Sequence, residues 1–353
     1  MTPRIQALLK HILEKQHATL RRDAAWTLAE RFSREGVAPE RRATEGLRAM
    51  LAAEQPAFLP GERIAFLRTV KQIPDLYTPA EMEALRGNAV YHEKGCVFNI
   101  SPDYATTIRA GLDARRAEIA ARLRRAEEER DDAAVEFLTA ALSGVDAVLD
   151  LAERYRAAAH AQGLVEIANL LGRVPRQGAT TFHEALQFLR ILHYTLWCEG
   201  EYHNGLGRFD QYLWPALSRD LESGAISRED AYDLVCALVI KVEEVGQIQN
   251  MTLGGSAADG RDGCNELTRM VLRATAELAY KGPNLCLRVT ESMPLDVWGI
   301  VYESLSKGLG LPALYNDRIY IDNFVKFGFP PEEAWDYCFG GCSQVMLGGR
   351  SCF

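Results

Sequence analysis

Strand signals in this 353-residue chain are confined to its second half, where they alternate with helical segments. Three short apolar runs bounded by turn residues read as strands: Gln249–Leu253, Asn284–Val289 and Ala313–Tyr315. Apolar spacing predicts helices over 227–245, 263–280, 294–308 and 316–327. Such alternation argues for a layered α/β core or barrel. The first half reads as helix. Residues 5–33 and 38–53 carry apolar positions at helical spacing. The Ala-, Glu- and Arg-rich region from Tyr104 to about Gln162 reads as an antiparallel pair of helices broken near Glu129–Asp132. Prolines and Gly61 punctuate 56–61, and the stretch from Pro74 to Pro102 reads as irregular. Thr180 or Thr181 is placed to cap a buried helix from Phe182 to Leu196. The expectation is a mainly helical layer, 1–165, around an α/β part, 166–353.

Composition removes several classes of function. A formal net charge of -8 argues against a nucleic-acid footprint. The Arg-rich stretch 109–130 alternates with Ala, Glu and Asp, the pattern of a solvated helix. The amphipathic start carries no signal-peptide pattern, and no run of eighteen apolar residues occurs, so a cytoplasmic protein is expected. In that compartment the eight cysteines should be thiols.

One of them stands apart. In Tyr337-Cys338-Phe339-Gly340-Gly341-Cys342-Ser343-Gln344 a cysteine follows two glycines. Glycine gives backbone freedom and removes bulk, so the Cys342 sulfur can be carried on a loop tip inside a cavity. Cys338 and Cys342 form a C-x-x-x-C, but a radical-SAM cluster needs a third cysteine at position 345, which is Val. A zinc site lacks its second ligand pair.

Other polar clusters have plainer readings. Gly254–Asp262 fits neither phosphate-loop pattern, and Asp259 and Asp262 would repel phosphate. It reads as a tight strand-to-helix turn capped by Asp262. Arg208 and Asp210 read as buried charges at an architectural corner, organised by each other or by backbone carbonyls. Glu199, Glu201 and His203 could ligate a metal, yet their two-residue spacing suits a strand, and a polar pocket wall at His203-Asn204 is the stronger reading.

An ordered set of segments then resembles a family. Gly61–Ile64 (GERI), Asp103-Tyr104 with Gly111-Leu112, Gly207–Leu213 (GRFDQYL), Gln249–Gly255 (QNMTLGG), Asp259–Asp262, Asn265–Leu267, Leu311–Asp317 (LPALYND) and Tyr337–Cys342 (YCFGGC) resemble the pyruvate formate-lyase-like glycyl radical enzymes. The resemblance runs from about residue 55 to the end. It implies half of a ten-stranded α/β barrel, built in the family from two antiparallel five-stranded halves, wrapped by helices. It implies that Cys342 becomes a thiyl radical that abstracts hydrogen from a small organic substrate and leads to C–C or C–X cleavage. Gln344, His203 and Asn204 are candidate substrate contacts. No cofactor or metal is expected on this chain. The storage glycine belongs to a C-terminal half not found in this sequence, and a separate radical-SAM activase installs the radical. The expected partners are therefore the activase, the C-terminal half or a second subunit, and a homodimer mate when complete. Neither nucleic acid nor membrane is expected as a partner.

Two departures from the family pattern narrow the chemistry. Many members carry Cys-x-Glu, whose carboxyl is an acid or base; here Gln344 cannot take a proton at neutral pH. The pyruvate lyases carry two adjacent cysteines; here Gly341 occupies the first place. A lyase of the formate C-acetyltransferase type, acting on a substrate other than pyruvate and inert without its glycyl half, is expected first. A non-catalytic remnant or split-enzyme subunit, a radical dehydratase and a ribonucleotide-reductase-like subunit are the alternatives.

Overall fold

The structure is a computed structural model and describes residues 1–87, 99–200, 203–246, 248–279 and 282–350, with the side chains of Glu40 and Asn99 set aside. The candidate ligand Glu201 and residues 88–98 of the stretch expected to be irregular lie outside these residues; earlier in that stretch Pro79–Gly87 is a helix, with proline at its first position, where the missing N–H costs nothing.

Five parallel strands form the central sheet: β1 (Asn99–Ile100), β2 (His203–Arg208), β3 (Asn250–Gly254), β4 (Asn284–Val289) and β5 (Ala313–Asn316). Their spatial order equals their chain order. Crossovers between parallel strands share one hand, so a sheet that always steps the same way collects its connecting helices on one face. The helices Phe182–Glu199, Arg228–Val242, Glu266–Leu278 and Leu295–Ser306 make those connections. Against them the strands bury Met251, Leu253, Leu285 and Leu287, all in the main core.

The other face carries Asn250, Thr252, Cys286 and Arg288, at alternate positions of β3 and β4. Across it lies an antiparallel hairpin, β6 (Tyr337–Gly340) and β7 (Gln344–Leu347). Tyr337, Phe339, Leu347 and Cys286 form a small second core between hairpin and sheet.

The N-terminal helices pack as an outer layer. Leu112–Glu129 and Asp132–Ala161 are the expected antiparallel pair, broken at Arg130 in a left-handed turn. The helix expected over 5–33 is instead three, Pro3–Leu13, Gln16–Thr19 and Leu28–Glu35. Lys15 turns left-handed at the first break, and between the last two Arg22 forms a bridge with Val70. The GERI segment is held by charge: the Lys241 ammonium contacts Glu62 and Glu244, and Arg63 pairs with Glu166 at 2.8 Å. The helix after Thr181 starts in a capping box with Glu184 and runs to Glu199, three residues beyond the expectation. After β3 the helix begins at Glu266 with Asn265 as its cap; Asp262 pins the turn by accepting from the Cys264 N–H at 2.8 Å.

Candidate active site: a hairpin laid across the open face of the sheet

The hairpin runs antiparallel to β3 and β4, with its root at their C-terminal ends and its tip at their N-terminal ends. At the root the Arg288 guanidinium donates to the carbonyls of Trp335 and Tyr337, each at 2.8 Å, and to Asp317 Oδ1 at 2.6 Å. It also stacks 3.8 Å from the Tyr337 ring centroid. The Tyr337 hydroxyl donates to the same Asp317 oxygen at 2.9 Å, and the Ser256 N–H donates to the other at 2.7 Å. Burial pushes the Asp317 carboxyl up, but the Arg288 charge and these donors outweigh it and hold the group below its ordinary range. Asp317 ends the LPALYND segment, and the latch explains why that segment carries an acid there.

Arg208 secures the neighbouring corner. Its guanidinium donates to the carbonyls of Gly254, Ser256 and Trp335 at 3.0, 2.9 and 3.3 Å. Burial, with Arg288 nearby, brings it down to about 10. Asp210 accepts from the Gly254 N–H at 2.8 Å and from the Thr268 hydroxyl. Both charges therefore bond the chain around them, and backbone groups organise this corner.

Midway, Phe339 N–H donates to the Thr252 hydroxyl at 2.9 Å. Here the hairpin comes down onto β2 at Gly205, where an added Cβ would stand 2.9 Å from the Phe339 carbonyl oxygen and 3.2 Å from that of Ile100. Only a residue without a side chain permits that approach.

The tip is held without charge. Gly341 takes a φ of 51°, left-handed, which turns the chain into Cys342. Asn250 Nδ2 donates to the Gly341 carbonyl and Asn284 Nδ2 to the Cys342 carbonyl, each at 3.4 Å. Gln344 Oε1 accepts from the N–H groups of Cys342 and Ser343 at 3.0 and 3.2 Å. Three neutral carboxamides thus grip the backbone of residues 341–343. The Cys342 side chain is exposed rather than enclosed, because the sheet is open on this side. It stands over the first residues of β3 and β4.

His203 and Asn204 open β2 at this same end of the sheet, since Gly205 pairs with Asn250 across the parallel ladder. Asn204 is fully buried and His203 partly so. Gln344 is committed to the turn through its oxygen, which leaves its NH₂ as the group free to meet a ligand. Glu199 is pushed up by burial; among the described residues no three His, Cys, Asp or Glu converge as metal ligands. Cys338 is buried on β6 and pushed up to about 11 by that burial. His183 and His193 serve the helical layer: His183 Nε2 bonds the Arg63 carbonyl at 2.8 Å, and His193 lies between Arg190 and Gln249. Glu243, pushed up to about 7 by burial, packs its carboxyl against Gly282, two residues before Asn284.

Asn250, Asn284 and Cys286 escaped the reading of the sequence. The available signal was their period-two alternation with Met251, Leu285 and Leu287, which marks a strand with two different buried faces.

A profile of the pyruvate formate lyase-like family matches residues 68–353. The probable dehydratase YbiW of Escherichia coli (strain K12) is 29% identical over 285 residues, 71% of this chain and 35% of that protein. The isethionate sulfite-lyase of Nitratidesulfovibrio vulgaris is 30% identical over 209 residues, 54% of this chain and 25% of that protein. Among solved structures, the glycerol-bound B12-independent glycerol dehydratase from Clostridium butyricum superposes with a TM-score of 0.84 at 22% identity, over 99% of this chain and 55% of that one. A glycyl radical enzyme from Archaeoglobus fulgidus gives 0.79 at 21% identity, over 98% and 55%. The chain spans about a third or less of the length of these curated relatives and about half of the solved chains. The sheet is thus one half of the barrel these structures share, and the matched profile takes in its strands, their connecting helices and the hairpin: the chain belongs to the pyruvate formate lyase-like family of glycyl radical enzymes.

Proposed function

We propose that this chain supplies the hydrogen-abstracting cysteine of a glycyl radical lyase, and that the cysteine is Cys342. The carrying observation is a sulfur at the tip of a hairpin whose root is locked by buried ions and whose tip is gripped only by uncharged groups. A glycyl radical, on barrel sequence that this chain does not span and installed by a radical-SAM activase, would take the hydrogen of the Cys342 thiol. The sulfur then draws a hydrogen atom from a substrate carbon, the adjacent bond breaks, and the hydrogen returns to close the cycle. Neutral surroundings suit that sequence, because it needs the thiol and not the thiolate.

The favoured reaction is C–C or C–X cleavage in a small organic substrate. Relatives named for loss of water and of sulfite both break a carbon–heteroatom bond, which supports the C–X reading. Gln344 favours a leaving group that departs without a proton from that position. His203, Asn204 and the Gln344 NH₂ are the proposed substrate contacts. The test is turnover by the protein reconstituted with activase and the complementary part of the barrel. Cys342→Ala should abolish turnover while the glycyl radical signal in electron paramagnetic resonance persists. Retained turnover removes Cys342 from the mechanism.

Water loss is the second reading, and Glu243 is what favours it. Its carboxyl titrates near neutrality beside the start of β4 and can supply the proton that Gln344 cannot. In the reconstituted enzyme Glu243→Gln should then abolish the limb of the pH–rate profile near 7; an unchanged profile eliminates this reading.

A further inference from the structure

We infer that Asn250 is a positioning residue for Cys342, an inference that rests on Cys342 being the reacting sulfur. Asn250 is fully buried on the hairpin face of β3. Its Nδ2 is shared between the Gly341 carbonyl at 3.4 Å and Cys286 Sγ at 3.1 Å. Its Oδ1 is buried and has no hydrogen-bond partner among the described residues. A buried acceptor left without a donor is costly. The orientation of the amide explains why it stays so. Gly341 turns its carbonyl oxygen toward Asn250, so the NH₂ end must face it; the opposite orientation would set two oxygens against each other. The tip thus dictates which way Asn250 points, at the expense of its other end.

Asn250 is suited to this in a way its companions are not. Asn284 and Gln344 hold the tip from exposed positions, where water competes for the same backbone groups. Asn250 bonds the residue directly before Cys342 from a dry site, and that carbonyl lies in the peptide plane that sets where the Cys342 side chain leaves the backbone. The Cys286 sulfur, itself hydrogen-bonded to the Tyr315 phenol, supports the NH₂ from the neighbouring strand. A side chain chosen for packing alone would fill this position without stranding an acceptor.

The test is hydrogen exchange on the chain as it stands, read by mass spectrometry on a peptide spanning 341–345 and on a reference peptide spanning 265–272. The amides of Cys342 and Ser343 exchange when the tip opens. Asn250→Ala should speed their exchange about fivefold relative to the reference, the effect of one lost hydrogen bond. Met251→Ala, on the opposite face of the same strand, should lower stability without changing that ratio. Asn250→Ser, whose hydroxyl is too short to reach Gly341, stands in if the alanine variant does not fold. An unchanged ratio in a folded variant at position 250 overturns the inference. Failure of the thiyl reading would show separately, as turnover retained by Cys342→Ala.

Discussion

The root and the tip of the hairpin are about five residues apart in sequence and are held by opposite chemistry. At the root, buried Arg288 and Asp317 and the guanidinium of Arg208 bond backbone groups of Tyr337, Ser256 and Gly254. At the tip, Asn250, Asn284 and Gln344 do the same work with no formal charge. Buried ions give strong, short bonds when fully satisfied, yet they project a field through a low-dielectric interior. Placing them at the root fixes the hairpin rigidly, while carboxamides fix the direction of the tip without adding a formal charge to its grip. The division teaches that anchoring strength and electrostatic neutrality are assigned to different ends of one short element.

The comparison breaks most visibly at the root. Arg288→Ala leaves Asp317 buried without its cation and takes a donor from the carbonyls of Trp335 and Tyr337. It should cost about 3–5 kcal/mol in unfolding free energy, measured by urea denaturation. A loss no larger than that of an exposed Arg→Ala change would show that the root is not the anchor.

Acid sharpens the contrast by a smaller amount. Asp317 is held below its ordinary range, so its contribution is fully present above the unfolded-state value near 4 and is lost as pH falls through the lower folded value. The stability difference between the native chain and Asp317→Asn should therefore be constant from pH 7 to about 5 and shrink below about 4. A difference that stays constant down to pH 2 would mean that the carboxylate charge plays no part in the latch. The tip, having no titrating group in its grip, should contribute nothing to that curve.

Much of the frame is legible in the sequence. Asn284–Val289 is a strand over its full expected length, and the helices between strands fall within a few residues of their expected bounds. Two of the hidden strands share one cause. β2 reads His-Asn-Gly-Leu-Gly-Arg, and β6 ends in glycine, so neither offers the β-branched residues that advertise a strand. Glycine is there because two backbones must touch, as at Gly205 against Phe339, and closeness between segments so far apart leaves no local pattern. For the same reason Cys342 is identifiable as unusual from its glycine neighbours, while Asn250, a partner of the tip, is not: its role exists only once the hairpin is docked.

The bonds that seat the hairpin join residues far apart along the chain, at a sequence separation of 87 for Phe339 and Thr252 and of 91 for Gly341 and Asn250. Such links carry a large loop-closure cost and form late in folding. The surface that receives the hairpin consists of strands already completed upstream. During synthesis from the N-terminus the sulfur would therefore be delivered onto strands of this sheet that have already been made.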